Sequence, residues 1–147
     1  MVSPPKKGYY ELEGADPHDP CGSLIPMFLS KEDLRGLYKH HPIKADNLKP
    51  AAEVLEAPDR IYVGIREDQG RWGYCYVGTP EQHAISNGVY GPIGRNRVFC
   101  VFVTDRLVVF EWRVERAERV GVGSTLNVRG ADIRFEELLW DRRTKKP

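Results

Sequence analysis

The strongest constraint on the fold is a series of apolar runs in which the side chains alternate with a period of two. Residues 60–66 (RIYVGIR) alternate apolar with polar or small residues, the pattern of a half-buried strand. Residues 97–104 (RVFCVFVT) are apolar on both faces and predict the central strand of a sheet. Together with the runs WGYCYVG and LVVFEWRVERAE, they predict an antiparallel sheet over residues 60–116.

The segment before this sheet has helical periodicity and predicts two helices over residues 30–58. Ser30 can cap the first helix, and Pro42 ends it because proline disfavours helical geometry at the preceding residue. Pro58 ends the second, shorter helix. Residues 132–141 predict a closing helix after the sheet.

The remaining segments predict an arm and a tail. Residues 1–29 are rich in proline and predict an irregular arm that wraps onto the body, and residues 142–147 predict a basic tail. Residues 1–147 are therefore expected to form a single domain. Helices on one side of a four- or five-stranded antiparallel meander, with a C-terminal helix, belong to the α+β class.

Composition limits the partners of the chain. The formal charge is +1, from 22 Lys+Arg and 21 Asp+Glu, so a global electrostatic footprint for nucleic acid is absent. No apolar run reaches the ~20 residues of a membrane helix, so no membrane association is expected. Three cysteines, an odd number, favour reduced thiols in a cytoplasmic protein. No cofactor is expected.

Two sets of side chains are candidates for chemistry. His40 and His41 end the first predicted helix, where imidazoles can exchange protons near neutral pH. The alternative is that both only cap the helix. Arg60, Tyr62 and Arg66 alternate on one side of a predicted strand and can hold a phosphate or stack on a base. The alternative is a solvated sheet face.

Other candidates are weaker. Thr104 ends the central strand, where its hydroxyl can bind an anion or only fix a turn. Arg97 follows the long glycine-rich segment 79–96, and long loops between strands are often functional, so its cation can cover a substrate. The alternative is a mobile surface loop. His18 and Cys21 have an H-x-x-C spacing, but no second paired ligand is present, and no metal site is predicted.

The order of these segments resembles the barnase/EndoU/colicin/RelE-like RNase superfamily, with the phage- and toxin-associated branches closest. The resemblance spans residues 30–116 and rests on KHHP, EAPDRIYVGI, RWGYCYVG and VFCVFVT in that order. Similar domains cleave RNA without metal. They use a base for the ribose 2′-hydroxyl proton, an acid for the leaving oxygen and cations for the charged phosphorane.

Carried onto this chain, the resemblance implies that His41 or His40 is the acid–base group. It implies that Arg66 or Arg60 stabilises the phosphate, and that Tyr62 and Thr104 line the cleft. The sequence departs from the pattern on its last sheet strand, where Glu111 and Arg113 are the only candidates for a second acid–base group.

Two functions therefore remain open. The first is a metal-independent ribonuclease-like domain that acts on RNA. The alternative is a non-catalytic binding or accessory module of a larger bacterial or phage complex, with a protein partner or inhibitor. The two differ in geometry, because the enzyme requires the histidines and the strand arginines to face one cavity.

Overall fold

Strands dominate the fold, which a computed structural model describes for residues 8–79 and 96–146. The strands are β1 (Tyr9–Asp16), β2 (Asp19–Ser30), β3 (Arg60–Arg66), β4 (Gly70–Gly78), β5 (Arg97–Thr104), β6 (Val109–Arg116), β7 (Thr125–Val128) and β8 (Ala131–Asp141). The helices are α1 (Lys31–His40), α2 (Pro42–Asp46) and α3 (Leu48–Glu56), with a 3₁₀ turn at Ala117–Arg119. The segment 79–96 lies mostly outside the described residues.

Six strands form one antiparallel sheet in the order β6-β5-β4-β3-β8-β7. The sheet curls until it is nearly a closed barrel. Its two end strands, β6 and β7, do not pair with each other. Arg129 Nη1 crosses from the β7–β8 turn to the carbonyl oxygen of Phe110 in β6, at 3.3 Å.

The β7–β8 hairpin turns through two residues, Arg129 and Gly130, with φ angles of 51° and 92°. Positive φ at both central residues is the type I′ geometry that matches the twist of antiparallel strands. The turn thereby places the Arg129 side chain beside β6. An arginine in this position is less usual than glycine or asparagine, and it carries a guanidinium group to the sheet edge.

Each face of the sheet packs against its own apolar cluster, as the alternation of side chains requires. One cluster joins Ile61, Tyr76 and Phe99 of the sheet to Leu55 of α3 and Met27 of β2. The other fills the concave side. Its members include Cys75, Cys100, Phe102, Val128, Ile133 and Phe135. The helices and the β1–β2 ribbon therefore lie on one side of the sheet, and the barrel interior is on the other.

The prediction of an irregular arm over residues 1–29 is wrong for the described part. β1 and β2 pair in antiparallel register from Tyr9 opposite Ser30. The Tyr76 hydroxyl donates to the carbonyl oxygen of Ala15 at 2.5 Å, and the Phe28 amide donates to Leu107 at 2.9 Å. A two-stranded ribbon has open edges, so it tolerates prolines whose missing N–H groups would disrupt a central strand.

The prediction of a closing helix over residues 132–141 is also wrong, because this segment is β8. Ile133 and Phe135 are both fully buried in the barrel interior. Their spacing of two places both side chains on one face of a strand and on different faces of a helix. β8 fills the position beside β3, with Arg60 opposite Asp141.

The α+β prediction of helices packed on an open meander is therefore corrected to a mainly β fold, a six-stranded barrel-like sheet with an added two-stranded ribbon. The helix predicted from Ser30 is present as α1, and the Asp33 amide donates to the Ser30 hydroxyl at 3.1 Å. Among the described residues, no helix has the length and apolar character needed to cross a bilayer.

Candidate functional site

A groove of about 770 Å³ lies between α1 and the edge of β6. Its apolar lining includes Leu29, Leu37, Val109 and Trp112. Gly36 of α1 leaves additional room, since a Cβ atom at this position would meet no atom within 4 Å outside its chain neighbours and the backbone of its own helix. The groove is therefore open to a side chain or to a short stretch of another chain.

Local sequence sets the orientation of α1 over this groove. Leu34 is the buried residue of α1 and packs with the outer apolar cluster. Glu32 and Asp33 occupy the first turn, where carboxylates are favoured by the positive end of the helix dipole. Both acids line the groove. The helix start that the sequence predicts therefore also supplies part of the negative charge at this site.

The cations of the groove are engaged in ion pairs. Lys44 pairs with Glu111, and both side chains are largely buried, at 15% and 12% exposure. Arg129 Nη1 lies 3.5 Å from the Asp33 carboxylate, with both side chains half-exposed. An entering phosphate would have to compete with these carboxylates for each cation, so the groove is poorly suited to hold a phosphorane.

The outer edge of β6 forms part of the groove, and its backbone groups are bound by side chains. The Phe110 carbonyl accepts from Arg129 at 3.3 Å, and the Trp112 amide donates to Glu111 Oε1 at 3.2 Å. The Trp112 indole also donates from Nε1 to the Lys44 carbonyl at 2.9 Å, which ties β6 to α2. An edge strand normally exposes such groups to another chain.

His40 and His41 both line the groove. His40 is the last residue of α1, and the His41 amide donates to the Leu37 carbonyl at 2.7 Å as the helix ends. Both side chains are exposed, and neither imidazole has a hydrogen bond or ion pair to another described residue. Both histidines therefore border the groove where α1 ends.

Arg60 and Tyr62 lie elsewhere. Arg60 Nη1 donates to the Tyr62 hydroxyl at 2.8 Å, and the Tyr62 ring stacks on Phe135 with centroids 5.2 Å apart. Tyr62 belongs to the cluster in the barrel interior, whereas α1 packs on the other cluster, which contains Leu55 and Met27. Burial raises the pKa of Tyr62, with the Arg60 guanidinium opposing the rise. The groove that contains the histidines does not include Arg60.

The other predicted site residues are also dispersed. Arg66 Nε lies 3.8 Å from the Asp68 carboxylate at the β3–β4 turn. The Thr104 hydroxyl accepts from the Val108 amide at 3.2 Å, which fixes the β5–β6 turn. Arg97 is half-buried at the start of β5, opposite Arg116. None of the three lines the groove. The groove that contains the histidines therefore does not include the strand arginines that the ribonuclease hypothesis places beside them.

The region beside Arg60 contains a buried carboxylate. The Asp141 side chain is 11% exposed, and it accepts from the Arg143 amide at 2.9 Å. Burial acts to raise the pKa of Asp141, but hydrogen bonds and charge from Arg143, aided by Arg60, outweigh it, so the pKa is lowered. The start of the basic tail is thereby folded against the end of β8.

His18 and Cys21, the pair with the H-x-x-C spacing, have different surroundings. The Nε2 atom of His18 lies 3.1 Å from the Tyr74 hydroxyl, and Cys21 is exposed as a free thiol. Over residues 8–79 and 96–146, no three His, Cys, Asp or Glu side chains gather closely enough to hold a metal ion.

Comparison with known protein families, with curated proteins and with solved structures found no match for this chain. The site must therefore be interpreted from its own geometry. Of the residues that line the groove, the sequence named His40, His41 and Glu111 as candidates for chemistry, and it did not name Lys44, Gly36 or Arg129. The sequence signal that could have identified Arg129 is the segment NVRGADIRF. Ile133 and Phe135 alternate as in a strand, so Arg129 is expected in the turn of a hairpin.

Proposed function

We propose that this protein is a non-catalytic binding module that holds an extended polypeptide segment of a partner protein in the groove between α1 and β6. The observation that supports this most is the edge of β6, where a backbone carbonyl at Phe110 and a backbone amide at Trp112 face the groove. An extended segment can add to such an edge as a further strand.

The chemical character of the groove fits a protein partner. Apolar residues line it, and charged residues at Lys44, Glu111, Asp33 and Arg129 accompany them as ion pairs. Protein interfaces commonly combine an apolar centre with a polar rim in this way. Arg129 and Glu111 occupy the hydrogen-bonding positions that the backbone of an added strand would take over.

The geometry supports the ribonuclease alternative less well. His40 and His41 have no unpaired described cation beside them in the groove, and the Arg60–Tyr62 pair belongs to the other side of the sheet. Cleavage by 2′-hydroxyl attack needs an acid–base group and a cation at the same phosphate. The histidines line the groove, whereas Arg60 and Arg66 do not.

The groove can be tested with two substitutions of one residue. Gly36→Trp places an indole in the groove, whereas Gly36→Ala adds only a methyl group, and a Cβ at this position meets no atom within 4 Å. Both substitutions replace a glycine within a helix. Each variant is therefore stabilised by up to ~1 kcal/mol through the higher helix propensity of the new residue. Loss of binding in Gly36→Trp alone therefore reports on space in the groove.

The measurement is selection of displayed random peptides on the wild-type protein. We expect selected peptides to bind wild type and Gly36→Ala equally, and to bind Gly36→Trp at least about tenfold more weakly. Hydrogen exchange at the Trp112 amide should slow in the complex. Peptides that bind Gly36→Trp as well as wild type would refute the groove as the binding site. Metal-free cleavage of RNA that is lost in His41→Ala would refute the non-catalytic proposal.

A further inference from the structure

A second cavity, of about 520 Å³, lies where the β1–β2 turn meets β4 and the connection between β5 and β6. Its apolar lining comes from Pro17, Ile25, Pro26 and Leu107. We name it the His18 pocket, after the histidine beside these residues. Its size and mainly apolar lining are those of a small-molecule site, in which a few polar groups fix the orientation of a ligand.

A tyrosine and a histidine form one polar element of the His18 pocket. The Tyr74 side chain is only 5% exposed, and its hydroxyl lies 3.1 Å from His18 Nε2. The two rings meet edge to face, with centroids 5.8 Å apart. A phenolic oxygen can donate one hydrogen bond and still accept others. Tyr74 therefore has acceptor capacity for an N–H group of a ligand.

The charge of the His18 pocket is one-sided. Asp16 at the end of β1 and Asp105 just after β5 both line it, and no lysine or arginine among the described residues lines it. The Asp16 carboxylate accepts from the His18 amide at 2.9 Å, and the Asp105 amide donates to Trp72 at 3.0 Å, so both backbones are fixed by hydrogen bonds. Two carboxylates with no described lysine or arginine favour a cationic ligand and repel an anion.

We infer that the His18 pocket binds a small primary amine in its protonated form. The ammonium group would lie near Asp16 and Asp105 and donate to the Tyr74 oxygen, and an apolar stem would pack against Pro17 and Leu107. This inference does not depend on the groove between α1 and β6. It concerns different residues, and it gives the protein a small-molecule site in addition to a polypeptide site.

Three probes of similar shape and different charge test the inference. Benzylamine is cationic at neutral pH, benzyl alcohol is neutral, and benzoate is anionic. Each is titrated into the protein, and binding is followed by the NMR shifts of the Ile25 and Leu107 amides. We expect benzylamine to bind at least about tenfold more tightly than benzyl alcohol, as close carboxylates favour a cation, and benzoate not to bind.

Matched charge changes locate the effect. Asp105→Asn removes a carboxylate from the His18 pocket and should remove most of the preference for the amine. Asp68→Asn changes the net charge equally at an exposed turn outside the pocket, and should leave the preference unchanged. Gly36→Trp, which fills the groove, should also leave it unchanged, so the two proposals fail independently.

Three results would overturn the inference. The first is equal affinity for benzylamine and benzyl alcohol. The second is an equal loss of preference in Asp105→Asn and Asp68→Asn, which would indicate a general charge effect. The third is a benzylamine response at the Trp112 indole N–H in place of Ile25 and Leu107, which would assign the amine to the groove.

Discussion

Replacing Gly73 by alanine should destabilise the protein strongly, because a side chain at this residue would overlap the backbone of β5. Gly73 is opposite Thr104 in the β4–β5 pair. A Cβ atom added to Gly73 would overlap the carbonyl oxygen of Val103 and lie 2.6 Å from Thr104 Cα. Both atoms belong to the backbone of a strand whose Val103 side chain is fully buried, so neither can move independently.

The expected cost follows from two terms. Forcing one extra methyl group into a packed region typically costs 1–3 kcal/mol, so about 2 kcal/mol is expected here. Displacement of β5 would also weaken the bond from the Asp105 amide to Trp72, now 3.0 Å, for about 1 kcal/mol more. A total of about 3 kcal/mol lowers the melting temperature by roughly 6–12 °C in a chain of this size.

Urea unfolding followed by tryptophan fluorescence and circular dichroism measures this change. Gly36→Ala is the matched control, because the same methyl group there enters open space and relieves a helix glycine. It should raise the free energy of unfolding by up to ~1 kcal/mol. A Gly73→Ala variant within about 0.5 kcal/mol of wild type would show that the two strands are not in this close register.

Two further predictions concern ionisable groups. Since the folded pKa of Asp141 is lowered, its stabilising effect is complete above its ordinary pKa of 3.8 and is lost as pH falls toward the folded pKa. The difference in unfolding free energy between wild type and Asp141→Asn, from urea titrations, should therefore shrink below that pH; a constant difference would contradict this. A thiol reagent should label Cys21 at once and Cys75 and Cys100 only on unfolding, since burial raises the Cys75 pKa. Rapid labelling of all three in native protein would contradict the burial of β4 and β5.

The sequence predicted those elements whose local signals agree. Ser30 followed by two acids marks the start of α1, and the alternation in residues 60–66 and 97–104 marks β3 and β5. In each case the capping residue or the period is a property of neighbouring residues. Such signals can be interpreted without knowledge of the tertiary fold.

The missed strands are those in which a local feature conflicts with tertiary pairing. Prolines made β2 look irregular, yet its ribbon is held by contacts to Tyr76 and Leu107, far along the chain. In β8, Asp132 could cap a helix, and adjacent Leu138 and Leu139 obscured the alternation of the preceding residues. Pairing with β3 decides the outcome in favour of a strand.

Only part of the candidate site could be predicted, because its other residues come together through tertiary pairing. The ends of α1 fix the positions of His40 and His41, and these could be inferred locally. The groove also contains Glu111, which the sequence named as a candidate without placing it beside α1, and Arg129 of the β7–β8 turn, which it did not name. The pairing of β5 with β6 is irregular after Phe102, which shifts the register of β6. The side of the sheet on which each β6 side chain lies therefore does not follow from simple alternation.

The position of β8 beside β3 has a consequence for how the chain folds. During synthesis from the N-terminus, β3 first has only β4 as a neighbour, because the strand for its other edge ends at Asp141. Contacts between residues distant in sequence form slowly, since a long loop must close before they contribute. Until β8 has been synthesised, β3 therefore has an open edge, and unpaired backbone groups at such an edge can pair with another chain.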